Sequence, residues 1–196
     1  ANHWGQGDTI DEGFTWDQDE WWNHMSALAN YDRPAVAAEA LPADAYLANV
    51  AANLAVAECW IREHPETEFD FFLPPYSILF WDKVTREGRT EAVFAAIRQA
   101  GETLLQYDNV KLYGYLMDAD IVTNLDNYCD YIHHSGEVCQ EILTMLRTGE
   151  GQLTEENLEN TLAHWREFVI HYDYDKFWDE NFWIQWNEEH SASQTP

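Results

Sequence analysis

The chain has 196 residues, enough for one domain with a sizeable core, and sets 36 aspartates and glutamates against 10 lysines and arginines, a formal net charge of −26. That charge repels nucleic-acid phosphates and anionic lipid, and the few cations form no cluster or stripe, so no nucleic-acid partner is expected. Disordered polyanions are excluded as well, because 46% of the residues are hydrophobic and ten are tryptophan, which indicates a folded core under an acidic surface.

Residues 1 to 34 are acidic and Trp-rich, and Thr15 is placed to cap a short helix holding Trp16, Trp21, Trp22 and Met25. These rings suit an aromatic carbohydrate platform, but aromatic side chains dominate burial energetics and packing on a neighbouring core is the better expectation. Pro34 to Pro42 reads as a connection. From Ala43 to Glu63, Leu47, Val50, Leu54, Ala57 and Ile61 recur at alternating spacings of three and four, the signature of an amphipathic helix, which Pro65 stops. Glu68 to Leu73 reads as a strand ended by Pro74-Pro75. Strand C-termini face the ligand crevice in open α/β sheets, so Tyr76 and Ser77 fall near a site and are candidate substrate-binding residues. Ser77 lacks the glycine-flanked sharp turn of a nucleophile elbow.

Thr90 to Gln106 is expected to be a helix turning Val93, Phe94, Ile97 and Leu104 inward, with Gly101 a weak spot in it. It connects as a right-handed crossover to a strand over Val110 to Leu116, where Val110, Leu112, Gly114 and Leu116 share one face and the flanking residues argue for burial on both. A polar loop follows. Ser135 then caps a helix carrying Val138, Ile142, Met145 and Leu146. Gly149 and Gly151 end this segment, Thr154-x-x-Asn157 opens a helix with Leu158, Leu162, Trp165 and Val169, and a last helix packs Phe177, Phe182, Trp183 and Trp186 before a fraying tail. A single domain over 1–196 is expected, divided into the N-terminal segment 1–42, a βαβ core 43–147 and C-terminal helices 148–196, without internal repeats.

The polar loop contains Asp130-x-x-His133. An acid-base histidine needs a second group to fix its tautomer and stabilise its imidazolium, and a carboxylate three residues earlier does this locally. His134 stands beside the pair as a further substrate-binding candidate. Cys129, His133, His134 and Cys139 gather thiol and imidazole donors in eleven residues. Structural zinc sites prefer Cys-x-x-Cys or spaced His pairs, and adjacent histidines seldom both reach one ion, so no metal or other cofactor is expected. Cys139 fits a helix position partly facing the core. With Cys59 the cysteines number three, which argues against a disulfide framework and leaves one bridge plus a free thiol open. The run Tyr172 to Asp175 with Asp179 and Glu180 lacks calcium-loop spacing and reads as a solvated acidic face. No apolar run approaches the roughly 20 residues of a membrane span, and the first residues lack the basic and apolar regions of a signal peptide.

Three stretches, F-D-F-F-L-P-P-Y-S-I-L-F-W (Phe69 to Trp81), Y-D-N-V-K-L-Y (Tyr107 to Tyr113) and N-L-D-N-Y-C-D-Y-I-H-H-S (Asn124 to Ser135), together resemble a bacterial cell-envelope branch of the SGNH (GDSL-like) hydrolases, over about residues 43 to 147. They stand in that family's order: a strand ending in Pro-Pro-Tyr, a helix, the last strand, then an Asp-x-x-His loop. The resemblance implies a helix-dominated α/β fold with a short parallel sheet flanked by helices, part of a flavodoxin-like three-layer sandwich. It also implies a serine esterase or O-acyltransferase acting on acylated cell-envelope polysaccharide, outside the cytoplasm, with His133 as general base then acid and Asp130 as its orienting partner. The family's Gly-Asp-Ser block and its oxyanion Gly and Asn have no convincing counterpart. Gly7-Asp8-Thr9 is nearest in letters, but A-N-H-W-G-Q before it is no buried strand. The expectation is therefore the C-terminal half of such an enzyme, inactive alone, whose two-strand sheet leaves an edge for a missing N-terminal half or a second copy. The alternative is a non-catalytic carbohydrate- or partner-binding module using exposed tryptophans.

Overall fold

The computed structural model describes residues 22–115 and 118–182. At its centre Phe69–Leu73 (β1) pairs in parallel with Val110–Gly114 (β2), in register from Phe69 opposite Val110 to Leu73 opposite Gly114. The protein is a helix-dominated α/β fold, as expected. A third strand, Gln152–Leu153 (β3), adds antiparallel to the other edge of β2, so the sheet is mixed, in the order β1-β2-β3. Gly149 and Gly151, at φ 77° and 70°, return the chain to that edge in a left-handed conformation open to glycine.

Burial separates the two long strands. Val110, Leu112, Tyr113 and Gly114 are buried, so β2 is covered on both faces as its apolar flanks predict. In β1 the pattern alternates: Phe69, Phe71 and Leu73 are half-buried while Asp70 and Phe72 are exposed, and its outer edge has no partner strand among the described residues.

Between the strands lie two helices where the sequence predicts one: Ile78–Arg86 and Thr90–Leu104. With His24–Ala29 as α1 and Leu47–Glu63 as α2, these are α3 and α4. α3 is nine residues long, too short for its apolar spacing to stand out behind the Pro-Pro-Tyr run. α2 starts four residues later than expected, after a turn over 43–46, and turns Leu47, Val50, Leu54 and Ala57 half-buried and Ile61 fully buried toward the body. After β2 come Ala119–Thr123 (α5), a 3-10 turn Leu125–Asn127, Gly136–Thr148 (α6), Leu158–His171 (α7) and a further helix over 174–182 (α8). Ser135 caps α6, its hydroxyl accepting from the Val138 N–H, and Leu158, Leu162, Trp165 and Val169 form the buried stripe of α7, both as predicted.

The core centres on Trp81, whose ring meets Trp165 edge-on at 5.9 Å and lies 5.6 Å from Phe94. Beneath it runs a charged brace. Asp82, almost fully buried, accepts from the Tyr31 hydroxyl at 2.8 Å and from Arg33 at 2.8 and 3.1 Å, and Arg33 reaches on to Asp175 in α8 at 2.7 Å. The first helix begins at His24 under an Asn23 cap. The Thr15 cap, Trp16, Trp21, Gly7-Asp8-Thr9, Leu116, Trp183 and Trp186 lie outside the described residues. Phe177 packs on the core as expected. Phe182 is instead 44% exposed, and Trp178 takes the inward position against Tyr31, at 5.8 Å.

Candidate acid-base site

The site grows from the end of β1. Pro74-Pro75 stop the ladder and leave the Pro75 carbonyl free, and the buried Tyr128 hydroxyl donates to it at 2.6 Å. Ser77, fully buried at the start of α3, donates to the Tyr131 carbonyl at 2.9 Å. From the end of α1, Asn30 donates to the Cys129 carbonyl at 3.1 Å. An antiparallel bridge between Tyr128 and His134, with the Cys129 N–H donating to the His133 carbonyl at 3.2 Å, closes the loop on itself. Residues 129–133 are thus a short loop fastened from three elements.

At its tip Asp130 directs one carboxylate oxygen to two backbone donors, the N–H groups of Ile132 and His133, both at 2.7 Å. Asx turns of this kind are local, which is why the spacing is visible in the sequence. The second oxygen lies 2.6 Å from His133 Nδ1. Partial burial pushes the Asp130 carboxyl up, but the His133 backbone N–H, the His133 ring and the Ile132 N–H together outweigh it and hold the group below its ordinary range. Ionised Asp130 therefore keeps a proton on Nδ1, leaving Nε2 as the acceptor on a ring that is 62% exposed.

The other candidates disperse. Ser77 is out of reach of solvent and its hydroxyl is engaged, so it positions the loop. Tyr76 packs its ring 4.6 Å from Phe80, and burial raises its phenol. His134 lies in the isolated bridge to Tyr128 and meets Cys139 Sγ at 3.6 Å, with burial lowering its imidazole. The four donors that look contiguous in sequence thus divide into two groups. All three cysteines are free thiols. Burial, and then the Asp130 charge, push the Cys129 thiol up to about 11, so it is no activated nucleophile. Among the described residues no hydroxyl or thiol is hydrogen-bonded to His133.

Sequence reasoning misses the supports, Asn30, Tyr128 and the loop-fastening role of Ser77, since each acts across 50 or more residues. It also misses a second imidazole-carboxylate pair, His24 with Asp126, where Asp126 Oδ1 lies 3.0 Å from both the ring Nδ1 and the backbone N–H. This pair lines a cleft of about 200 Å³ with Thr123, Asn124, Leu125 and Asn181. Comparison of the chain with models of protein families, with curated proteins and with solved structures finds no match.

Proposed function

We propose that Asp130 and His133 are the acid-base element of an ester-hydrolysing or acyl-transferring site of the serine type, similar to that of the SGNH hydrolases, with the nucleophile and oxyanion donors coming from outside the described residues. The carrying observation is the 2.6 Å contact that fixes an exposed imidazole with Nε2 free. In this reading Nε2 takes the proton of a serine hydroxyl as the oxygen attacks an ester carbonyl. Asp130 stabilises the imidazolium, which then protonates the departing alkoxide, and water or a carbohydrate hydroxyl repeats the sequence to release the acyl group. The order of the stretches supports it: β1 ending at Pro-Pro-Tyr, crossover helices, β2, then the Asp-x-x-His loop. The open edge of β1 is where further strands, from a longer chain or a second copy, would pair. Acylated cell-envelope polysaccharide outside the cytoplasm is the substrate class and setting that the resemblance favours.

The test is labelling of the native product in its source cells with a fluorophosphonate probe. Labelling that disappears on His133→Ala is the expected result, and a native product that never labels overturns the proposal. By itself the chain should hydrolyse an activated acetate ester no faster than free imidazole. A second reading, a carbohydrate-binding module, is favoured by Trp60, 61% exposed on α2. Quenching of tryptophan fluorescence by cell-wall glycans, unchanged by His133→Ala and lost on Trp60→Ala, would identify that module.

A further inference from the structure

A thiol, a carboxylate and an imidazole converge at the loop tip: one donor atom each of Cys129, Asp130 and His133 lies within 4.8 Å of the other two. They belong to one short loop whose backbone is fixed by Asn30, by Ser77 and by the Tyr128–His134 bridge. The donors are therefore gathered before any ligand arrives, with the Asp130 carboxylate held by two backbone N–H groups in the way that outer partners orient metal ligands. Exposure of the His133 ring leaves one side of the cluster open to water.

We propose that Cys129, Asp130 and His133 bind a zinc-class divalent cation, with its fourth position open to solvent. The donor set selects the metal: a thiolate with an imidazole suits zinc, whereas magnesium and calcium require oxygen ligands. Metal–ligand distances of about 2.0 Å to nitrogen or oxygen and about 2.3 Å to sulfur set tetrahedral donor separations of roughly 3 to 3.6 Å. From separations within 4.8 Å the farther donors close in by side-chain rotation, and the 2.6 Å Asp130–His133 contact opens as the ion replaces their shared proton. On binding, the thiol proton passes to solvent, while the ring proton leaves Nδ1 to the ion and is taken up again from solvent at Nε2, so the bound imidazole stays neutral. The ion and the acid-base role exclude each other, since a metal-bound His133 is no longer oriented by Asp130, and the metal site stands whether or not the chain takes part in acyl transfer.

Cobalt(II) added to the purified chain tests this. The expected result is one ion bound per chain, with the intense visible bands of four-coordinate cobalt and a near-ultraviolet thiolate-to-cobalt charge-transfer band, both displaced by zinc. Cys129→Ser removes the charge-transfer band, whereas Cys59→Ser and Cys139→Ser keep it. Cobalt held loosely by the acidic surface gives no such band, so its absence, or its survival in Cys129→Ser, overturns the proposal. The unsubstituted chain gives an independent reading: zinc should slow alkylation of Cys129, located by peptide mass, more than tenfold while leaving Cys59 unaffected, and equal rates with and without zinc also overturn it. Fluorophosphonate labelling is run with a chelator present, so that failure of the metal site and failure of the acid-base reading are scored separately.

Discussion

Asp130 divides its two oxygens between backbone and ring, and this division has a consequence for stability. A carboxyl held below its ordinary 3.8 in the folded chain favours folding above that value, and the contribution is lost as pH falls through the folded value. In urea unfolding, wild type should be more stable than Asp130→Asn at neutral pH, and the margin should shrink once pH falls below about 4. A margin unchanged down to the acid limit would contradict the assignment. Adjacent residues here have opposed surroundings: His133 is exposed and paired with Asp130, while His134 is half-buried against Cys139. His134 with Cys139 and His133 with Asp130 and Cys129 are thus separate groupings, which dissolves the four-donor set that the letters alone suggest.

The elements are held by backbone approaches as much as by apolar stripes. Gly88, at φ 66°, ends α3 and receives the 37–42 connection: the Leu41 N–H donates to its carbonyl at 2.8 Å, and a Cβ on Gly88 would stand 2.8 Å from Ala40 Cα and 3.0 Å from the Glu39 carbonyl oxygen. Both obstacles are backbone, so Gly88→Ala should cost about 2 kcal/mol or more, read as a lower denaturant midpoint with unchanged slope. Gly101 is expected from sequence to weaken α4. Its physical role is contact, because a Cβ there would fall 2.9 Å from a buried Leu158 methyl at the start of α7. Asp82 ties α3 to the segment after α1 through Tyr31 and Arg33, and Arg33 carries the brace on to α8. Asp82→Ala leaves the half-buried Arg33 with only the exposed Asp175 and the Tyr31 hydroxyl without an acceptor, and should cost about 3 kcal/mol in equilibrium unfolding.

Over the whole molecule the charge of −26 works against compactness. Its exposed carboxylates repel one another over distances that salt shortens, from about 30 Å at 0.01 M to about 3 Å at 1 M. The melting temperature should therefore rise across that range of sodium chloride. The exposed ion pairs, such as Lys111 with Glu68, weaken at the same time, but each is worth little. A melting temperature that falls with salt would show that these pairs, and not the net repulsion, dominate. No described helix is long and apolar enough to cross a membrane.

Local chemistry determined much of this protein in advance. Helical spacing, the Ser135 cap and the Pro65 and Pro74-Pro75 stops act within a few residues, so α2, α4, α6, α7 and the two parallel strands are legible from the chain, as is the Asx turn that joins Asp130 to His133. Tertiary structure decided the rest. The addition of β3, the hydrogen bond from buried Ser77 to the Tyr131 carbonyl, the Asp82 brace and the His24–Asp126 pair depend on contacts 39 to 102 residues apart, which no local pattern encodes. The convergence of Cys129 with Asp130 and His133, and the separate contact of His134 with Cys139 in α6, follow from how the loop closes on itself through the Tyr128–His134 bridge. Spacing supplies the donors, and the fold chooses which of them meet.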